Sequence, residues 1–167
     1  TYRDSSYLNT IADALKDNSG NIIVVGVEVN LQISDAQPYI IKYNPSGTLE
    51  FKWDFPQTNL NYDETIGGAD IDNSGDIYIG SNIQTFPVDT GRFIKIDGNT
   101  GTTIFNIPFI DAIIIDVLVN DNYVYVLVGN PFKSIYKYDL SGNYIGDYYI
   151  SNFYSPTNLL NWNHSIG

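Results

Sequence analysis

The chain contains no cysteine, and basic side chains are scarce, with eight lysine or arginine residues and one histidine among 167 residues. Without cysteine, disulfide bonds and thiol redox chemistry are excluded. Nineteen aspartate or glutamate residues give a formal net charge of −11. Because nucleic-acid binding depends on basic clusters that neutralise phosphates, nucleic acid is not an expected partner of so acidic a chain.

Long apolar runs are also missing. Two apolar runs, residues 112–115 and 117–119, are separated by Asp116, and no run approaches the ~20 residues that a membrane-spanning helix needs. Membrane insertion is therefore not expected. Hydrophobic residues nevertheless make up 43 % of the chain and aromatic residues 14 %, a composition that excludes a disordered chain and suits a sheet-rich fold.

Three blocks of the chain repeat the same order of features. Each block has a polar turn followed by a β-branched and aromatic run, then a lysine-containing run that ends in a glycine turn, then a third aromatic run. The polar turns are residues 17–20 (DNSG), 72–75 (DNSG) and 120–122 (NDN). Self-similarity at roughly 40–50 residues is the period of a β-propeller blade with about four strands.

This period predicts an all-β chain of about three four-stranded propeller blades, belonging to a larger or partner-completed ring. Residues 11–17 could form a helix, but their register with residues 66–72, which hold two glycines, favours a strand. Residues 161–167 (NWNHSIG) match residues 61–67 (NYDETIG), so we expect a further blade from a longer chain or from a partner. The predicted units are an incoming connection (1–10), blade 1 (11–55), blade 2 (56–107), blade 3 (108–150) and an outgoing connection (151–167).

The blocks resemble the SBBP-type β-propeller repeat, a family of secreted and cell-surface repeats. The likeness rests on an inner strand ending in DNSG, a Phe-Pro loop at residues 85–88 and the hairpin of residues 93–101. The third block departs from this pattern, because its first turn has no glycine and it lacks the Phe-Pro loop. The resemblance implies a propeller scaffold outside the cell or on its surface, and it implies no catalytic residues.

The central DNSG turn contains the strongest candidate for a metal site. Asp70, Asp72, Ser74 and Asp76 alternate as oxygen-bearing residues around a glycine, as at the start of a calcium loop. The distal bidentate glutamate of such a loop is absent, since position 81 is serine. A hairpin turn in which Asp and Asn bond to the backbone explains the same residues. We therefore expect no cofactor, with calcium at these four residues as the alternative.

Catalytic patterns are weak. His164 is the single histidine, and its counterpart in the repeat, Glu64, suggests a solvated position. A lone histidine forms neither a metal cluster nor a catalytic triad. Paired carboxylates of a glycosidase would need a second carboxyl group nearby, and no spacing indicates one. We therefore expect a protein that is not an enzyme.

Two further groups of residues recur in the blocks. Trp53 falls in an apolar strand and is expected to pack in the core, which leaves glycan stacking to the loops at 30–37 and 82–91. The lysines of the three blocks are expected to face solvent or a sheet edge, and to pair with acidic turns such as Asp97 and Asp139. They are Lys42, Lys95 and Lys137.

Taken together, the sequence predicts a non-catalytic scaffold, extracellular or on the cell surface, that presents loops for protein–protein interaction, adhesion or assembly. Its expected partner is another protein or the remainder of its own chain. The alternative is a lectin-like module that binds glycans.

Overall fold

The computed structural model describes residues 7–30, 35–55, 64–84, 88–129 and 133–150. These residues form twelve β-strands, and no helix occurs among them, so the predicted all-β class is confirmed. Within the same ranges, no helix has the length and apolarity needed to cross a membrane. The strands are β1 (Tyr7–Lys16), β2 (Ile22–Asn30), β3 (Asp35–Tyr43), β4 (Leu49–Asp54), β5 (Glu64–Ile71), β6 (Ile77–Ile83), β7 (Thr90–Ile96), β8 (Thr103–Ile110), β9 (Ile113–Val119), β10 (Tyr123–Gly129), β11 (Ser134–Asp139) and β12 (Tyr144–Tyr149).

The strands form three sheets of four strands each, which we call sheet 1 (β1–β4), sheet 2 (β5–β8) and sheet 3 (β9–β12). In every sheet, consecutive strands lie side by side and run antiparallel. Residues 11–17 lie mostly in β1, so the strand expectation for this segment is confirmed and the helical alternative is wrong. β1 begins at Tyr7, earlier than the sequence pattern indicated.

The turns between strands follow from the chemistry of their residues. In the first turn of sheet 2, the Asp72 backbone N–H donates to the Asp76 carbonyl, and Gly75 has φ of +87°. Glycine adopts this left-handed conformation at no steric cost, which accounts for the DNSG motif. In the turn between β9 and β10, Asn120 N–H donates to the Tyr123 carbonyl, so this turn is one residue shorter and contains no glycine.

The sheets pack face to face through two apolar clusters. The cluster between sheets 1 and 2 is mainly aliphatic, with Trp53 packed against it in an edge contact 4.3 Å from the Phe55 ring centre. The expected core role of Trp53 is therefore confirmed. The cluster between sheets 2 and 3 is richer in aromatic rings, including Tyr78, Phe93, Phe109 and Tyr138.

Glycines let the first strands of sheets 2 and 3 approach closely. A Cβ atom at Gly67 would lie 2.0 Å from the Ile114 carbonyl oxygen, and one at Gly68 would lie 2.3 Å from an Asp116 carboxylate oxygen. Both distances are far inside van der Waals contact, so only glycine fits between β5 and β9.

Candidate functional site

Lys42 of sheet 1 joins its own sheet to the next one. Its ammonium Nζ lies 3.3 Å from Asp17 Oδ2 and 3.6 Å from Glu50 Oε2, both in sheet 1 or its turns. It also donates to the Gly98 carbonyl of sheet 2 at 2.7 Å. Burial opposes the ionisation of Asp17, but hydrogen bonds from Asn21 and Lys42 outweigh it and hold the pKa of that carboxyl below its ordinary value. We call this arrangement the first lysine node.

Lys95 repeats the arrangement between sheets 2 and 3. Its Nζ lies 3.0 Å from Asp76 Oδ2 and 3.5 Å from Asp72 Oδ2, and it donates to the Leu140 carbonyl of sheet 3 at 3.0 Å. The Tyr78 hydroxyl, which donates to Asp72 Oδ2, also belongs to this second lysine node. Burial, together with the Asp72 carboxylate, raises the pKa of Tyr78 far above its usual value, so this hydroxyl stays a neutral donor.

The expectation that these lysines face solvent or an edge is wrong for two of them. Lys42 is 4 % exposed and Lys95 is 8 % exposed, because each lies between two sheets. Their ion-pair partners are carboxylates of their own sheet rather than Asp97 and Asp139: Asp17 and Glu50 for Lys42, and Asp72 and Asp76 for Lys95. A charged side chain on an apolar strand can be buried when carboxylates and a carbonyl satisfy it.

The four residues of the candidate calcium loop do not converge on one point. Asp72 Oδ1 accepts the Ser74 and Asp76 N–H groups, while Asp72 Oδ2 and Asp76 Oδ2 face Lys95. Asp70 Oδ2 instead accepts the Val119 N–H of sheet 3 at 2.7 Å. Burial raises the pKa of Asp70 despite that bond.

No group of three or more His, Cys, Asp or Glu side chains that could hold a metal occurs in the described part of the chain. Calcium at Asp70, Asp72, Ser74 and Asp76 stays a prediction. A melting temperature that falls when a chelator is added, and that no longer responds in Asp72→Ala, would support it.

Lys137 occupies the third equivalent position, on the side of sheet 3 that also carries Leu127 and Ile135. We call this side the outer face. It pairs across the strands with Gly146, as Lys42 pairs with Phe51 and Lys95 with Phe105. Its Nζ lies 3.6 Å from the Tyr123 ring centre and 5.7 Å from the Tyr125 ring centre. Among the described residues, no carboxylate forms an ion pair with it. The cation therefore rests on two aromatic rings instead of in an ionic node.

The outer face of sheet 3 differs from its counterparts at two more positions. Asn120 occupies the turn position of Asp17 and Asp72, and its Oδ1 accepts the Asn122 and Tyr123 N–H groups. Gly146 replaces a phenylalanine. Between sheets 1 and 2, and between sheets 2 and 3, the phenylalanine at this position lies against a glycine of the next sheet. A Cβ atom at Gly101 would be 3.2 Å from the Phe51 ring, and one at Gly142 would be 2.9 Å from the Phe105 ring.

This outer face is nevertheless apolar. Leu127 and Ile135 form its buried centre, with partly buried side chains around them. The last strand of the sheet, β12, adds Tyr148, which pairs with Ile135 across the strands and is 57 % exposed. Tyr144 contacts Tyr136 and Tyr138 of the cluster between sheets 2 and 3, so it lies on the opposite face.

Buried polar contacts elsewhere were not predicted from the sequence. Glu64 is 6 % exposed and its Oε2 accepts a hydrogen bond from Arg92 at 2.5 Å. The burial of Glu64 removes the basis for the solvated position expected of its counterpart His164, which itself stays untested. Asn82 donates to the Ile114 carbonyl at 2.8 Å and accepts the Ile114 N–H at 2.7 Å, which ties sheet 2 to sheet 3. The only hint of either was a polar residue within an apolar strand.

Other predicted positions lie outside the described residues. They are His164, the C-terminal match at 161–167, and the parts of the two candidate glycan loops at 31–34 and 85–87.

No protein-family model matches the sequence, and no curated protein matches it significantly. The resemblance to the SBBP-type repeat stays a prediction.

Proposed function

We propose that the chain is a three-blade segment of a β-propeller that acts as a non-catalytic scaffold for protein–protein interaction, adhesion or assembly, outside the cell or on its surface. Its partner is another protein or the remainder of its own chain. The SBBP-type resemblance supports the location, and the three equivalent sheets support the propeller interpretation.

The repeated lysine node supports stacking of blades most directly. A buried cation that reaches a carbonyl of the next sheet occurs at both covered interfaces. An array built in this way carries an apolar end face wherever stacking stops, and large apolar end faces are typical of interaction sites.

The observation that carries the interaction function is the exposure of two adjacent tyrosines near the end of β12, one on each face of this last strand. Tyr148 is 57 % exposed and Tyr149 is 62 % exposed. Tyrosine is enriched in protein interfaces because it offers apolar area together with a polar hydroxyl. The carboxylates of Asp17, Asp72 and Glu64, by contrast, are buried in ion pairs, an arrangement that supports a structural role for them.

The same tyrosines favour one second candidate, a glycan-binding module, because flat aromatic rings can stack on sugars. The two candidates differ in what the surface captures. A glycan array probed with the full chain should stay silent for a protein-binding scaffold. It should give signals that are lost in Tyr148→Ser/Tyr149→Ser for a lectin.

The test of the scaffold function uses the immobilised full chain and the extracellular protein fraction of the source cells. We expect specific proteins to be captured, with capture lost in Tyr148→Ser/Tyr149→Ser. Leu49→Ser is the matched control, because Leu49 is 54 % exposed on the equivalent strand of sheet 1. Capture of no protein, or equal capture by both variants, would contradict the function.

A further inference from the structure

We infer that Tyr144 is a site of oxidative cross-linking. A one-electron oxidant of the haem peroxidase class converts Tyr144 to a tyrosyl radical, with Asp147 as the proton acceptor, and two such radicals join two copies of the chain by a covalent bond. This activity goes beyond the proposed scaffold function and does not depend on which partner that scaffold binds.

A β-bulge in β12 brings Tyr144 and Asp147 to the same face of the sheet. Tyr144 pairs with Tyr138, but the next pairing in the register is Gly146 with Lys137, so the alternation of faces shifts by one residue between them. Without this bulge, residues three apart on a strand point to opposite faces. With it, the Tyr144 hydroxyl donates a hydrogen bond to Asp147 Oδ1.

Sheets 1 and 2 have the same bulge but not the same pair of side chains. Their last strands shift register at the equivalent point. The positions of Tyr144 and Asp147 are taken by Leu49 and Lys52 in sheet 1, and by Thr103 and Asn106 in sheet 2. Among the three described sheets, the phenol and carboxylate pair is therefore specific to sheet 3.

Tyr144 is accessible both to an oxidant and to a second chain. It is 54 % exposed, close to the 57 % of Tyr148 on the outer face. Within the described ranges, no carboxylate bonds to the Tyr148 hydroxyl, so the proton acceptor is the main difference between these two tyrosines. The hydrogen bond to Asp147 raises the pKa of Tyr144, so the phenol keeps its proton until it is oxidised.

The hydrogen bond to Asp147 gives the proton of Tyr144 a path during oxidation. Loss of an electron makes a phenol strongly acidic, so its proton has to leave with the electron. The oxidant takes one electron from the Tyr144 ring, and the O–H proton passes along the hydrogen bond to the Asp147 carboxylate. A neutral tyrosyl radical and a carboxylic acid result, and the acid then gives its proton to water. An acceptor already in hydrogen-bond contact removes the need to meet a base in solution.

The coupling step balances with hydrogen peroxide as the final oxidant. Two tyrosyl radicals form a carbon–carbon bond between ring positions ortho to their oxygens. Each ring then loses its ortho hydrogen as a proton and regains a proton on oxygen, which restores the phenol. Overall, two tyrosines lose two electrons and two protons, and one hydrogen peroxide accepts them to become two waters.

The coupling partner of Tyr144 is the same residue of another copy. Within its own chain, the centres of the Tyr138 and Tyr136 rings lie 5.9 Å and 6.3 Å from that of Tyr144. Both distances exceed the separation of two directly bonded rings, and contacts with Phe93 and Phe109 hold these two tyrosines in the interior. Tyr148 lies on the opposite face of β12.

The test oxidises the full chain with a haem peroxidase and a limiting amount of hydrogen peroxide. Dityrosine fluorescence follows the coupling, and mass spectrometry of peptides measures the loss of each tyrosine and locates the cross-link. The salt concentration is kept at a physiological level, because chains with a formal net charge of −11 repel each other when unscreened.

We expect Tyr144 to be consumed faster than Tyr148, and covalent dimers to be joined at Tyr144. Asp147→Asn keeps an oxygen that accepts the hydroxyl bond but does not hold the proton. It should slow the consumption of Tyr144 by about ten-fold, less than the ~100-fold effect of a well-positioned proton acceptor, because water competes at an exposed site. The rate for Tyr148 should stay unchanged, which reports that the fold and the access of the peroxidase are intact.

Asp54→Asn is the matched control for the change of charge. Asp54 is a half-exposed carboxylate on the equivalent strand of sheet 1, where it pairs with Lys52. Its replacement should leave the oxidation rate of Tyr144 as it is. Tyr144→Phe should abolish the covalent dimers.

Equal consumption of Tyr144 and Tyr148, an unchanged rate in Asp147→Asn, or an equal effect of Asp54→Asn would overturn the inference. The absence of covalent dimers, or cross-links that map to other tyrosines or within one chain, would overturn it as well. None of these outcomes affects the capture of partner proteins through Tyr148 and Tyr149, which tests the scaffold function separately.

Discussion

The covered faces of sheets 1 and 2 and the outer face of sheet 3 are built from equivalent positions but carry different chemistry. On each covered face, a buried lysine is neutralised by carboxylates and bonded to a carbonyl of the next sheet. On the outer face, Lys137 lies over tyrosine rings, Asn120 replaces the acid of the turn, and Gly146 replaces the phenylalanine. The difference teaches that apolar packing alone does not define a stacking interface in this chain.

The largest contrast should come from removing the lysine itself. Lys95→Met leaves Asp72 and Asp76 close together and partly or fully buried without a cation, which should lower the free energy of unfolding by about 3–5 kcal/mol. Lys137→Met is the matched control and should lower the free energy of unfolding by less than about 1 kcal/mol, because none of the described carboxylates loses its cation when Lys137 is removed. Urea denaturation of both variants measures this. If both variants lose a similar amount of unfolding free energy, the proposed difference between the covered faces and the outer face is wrong.

The phenylalanine at the covered interface gives the next effect. Phe105 contacts the Phe93 ring with centres 5.2 Å apart and lies against Gly142. Phe105→Ala should therefore lower the free energy of unfolding by about 2 kcal/mol, less than for a fully buried ring.

Gly146→Ala tests the equivalent position on the outer face. The described residues leave more than 4 Å of open space around a Cβ atom there, so the change should stay within about 0.5 kcal/mol. A large cost at Gly146 would show that this face is already covered by tight packing.

The first lysine node also predicts a pH dependence. The pKa of Asp17 is lower in the folded chain than its ordinary value. Its ionised form therefore stabilises the fold above the unfolded-state pKa of about 3.9, and this contribution is lost as pH falls through the folded-state pKa. Denaturation curves recorded between about pH 5 and pH 2 should show a shallower loss of stability in Asp17→Asn than in the unsubstituted chain. Parallel curves would contradict the node.

The smallest effect should come from restoring the missing acid. Asn120→Asp keeps an oxygen for the turn and places a carboxylate on the side of Lys137, which should raise the free energy of unfolding by about 0.5 kcal/mol at low salt. The gain should fade as salt is added, since exposed pairs are screened. A gain that is independent of salt would point to a different cause.

Much of the fold could be predicted from the sequence, because turn chemistry and strand composition are local signals. The DNSG turns and the β-branched runs mark most of the strands, and the repeat places four strands in each sheet. The direction of the lysines could not be predicted. A lysine between apolar neighbours gives the same sequence pattern whether a second sheet covers it or not.

The ionic nodes were missed for the same reason. Lys42 and Gly98 are far apart in the chain, and a bond between a side chain and a carbonyl leaves no trace in residue type. The buried pair of Glu64 and Arg92 was missed in the same way, because these residues are also far apart in the chain. What the sequence did contain was the substitution of Asn120 for aspartate, which becomes informative only once its lysine is located.

The measurement that tests this account most directly is NMR of the lysine ammonium groups in the full chain at neutral pH. Buried, bonded ammonium protons exchange slowly with water, whereas accessible ones exchange too fast to be seen. We predict observable signals for Lys42 and Lys95 and none for Lys137. A protected Lys137 signal in the isolated chain would contradict the claim that its face is left for a partner.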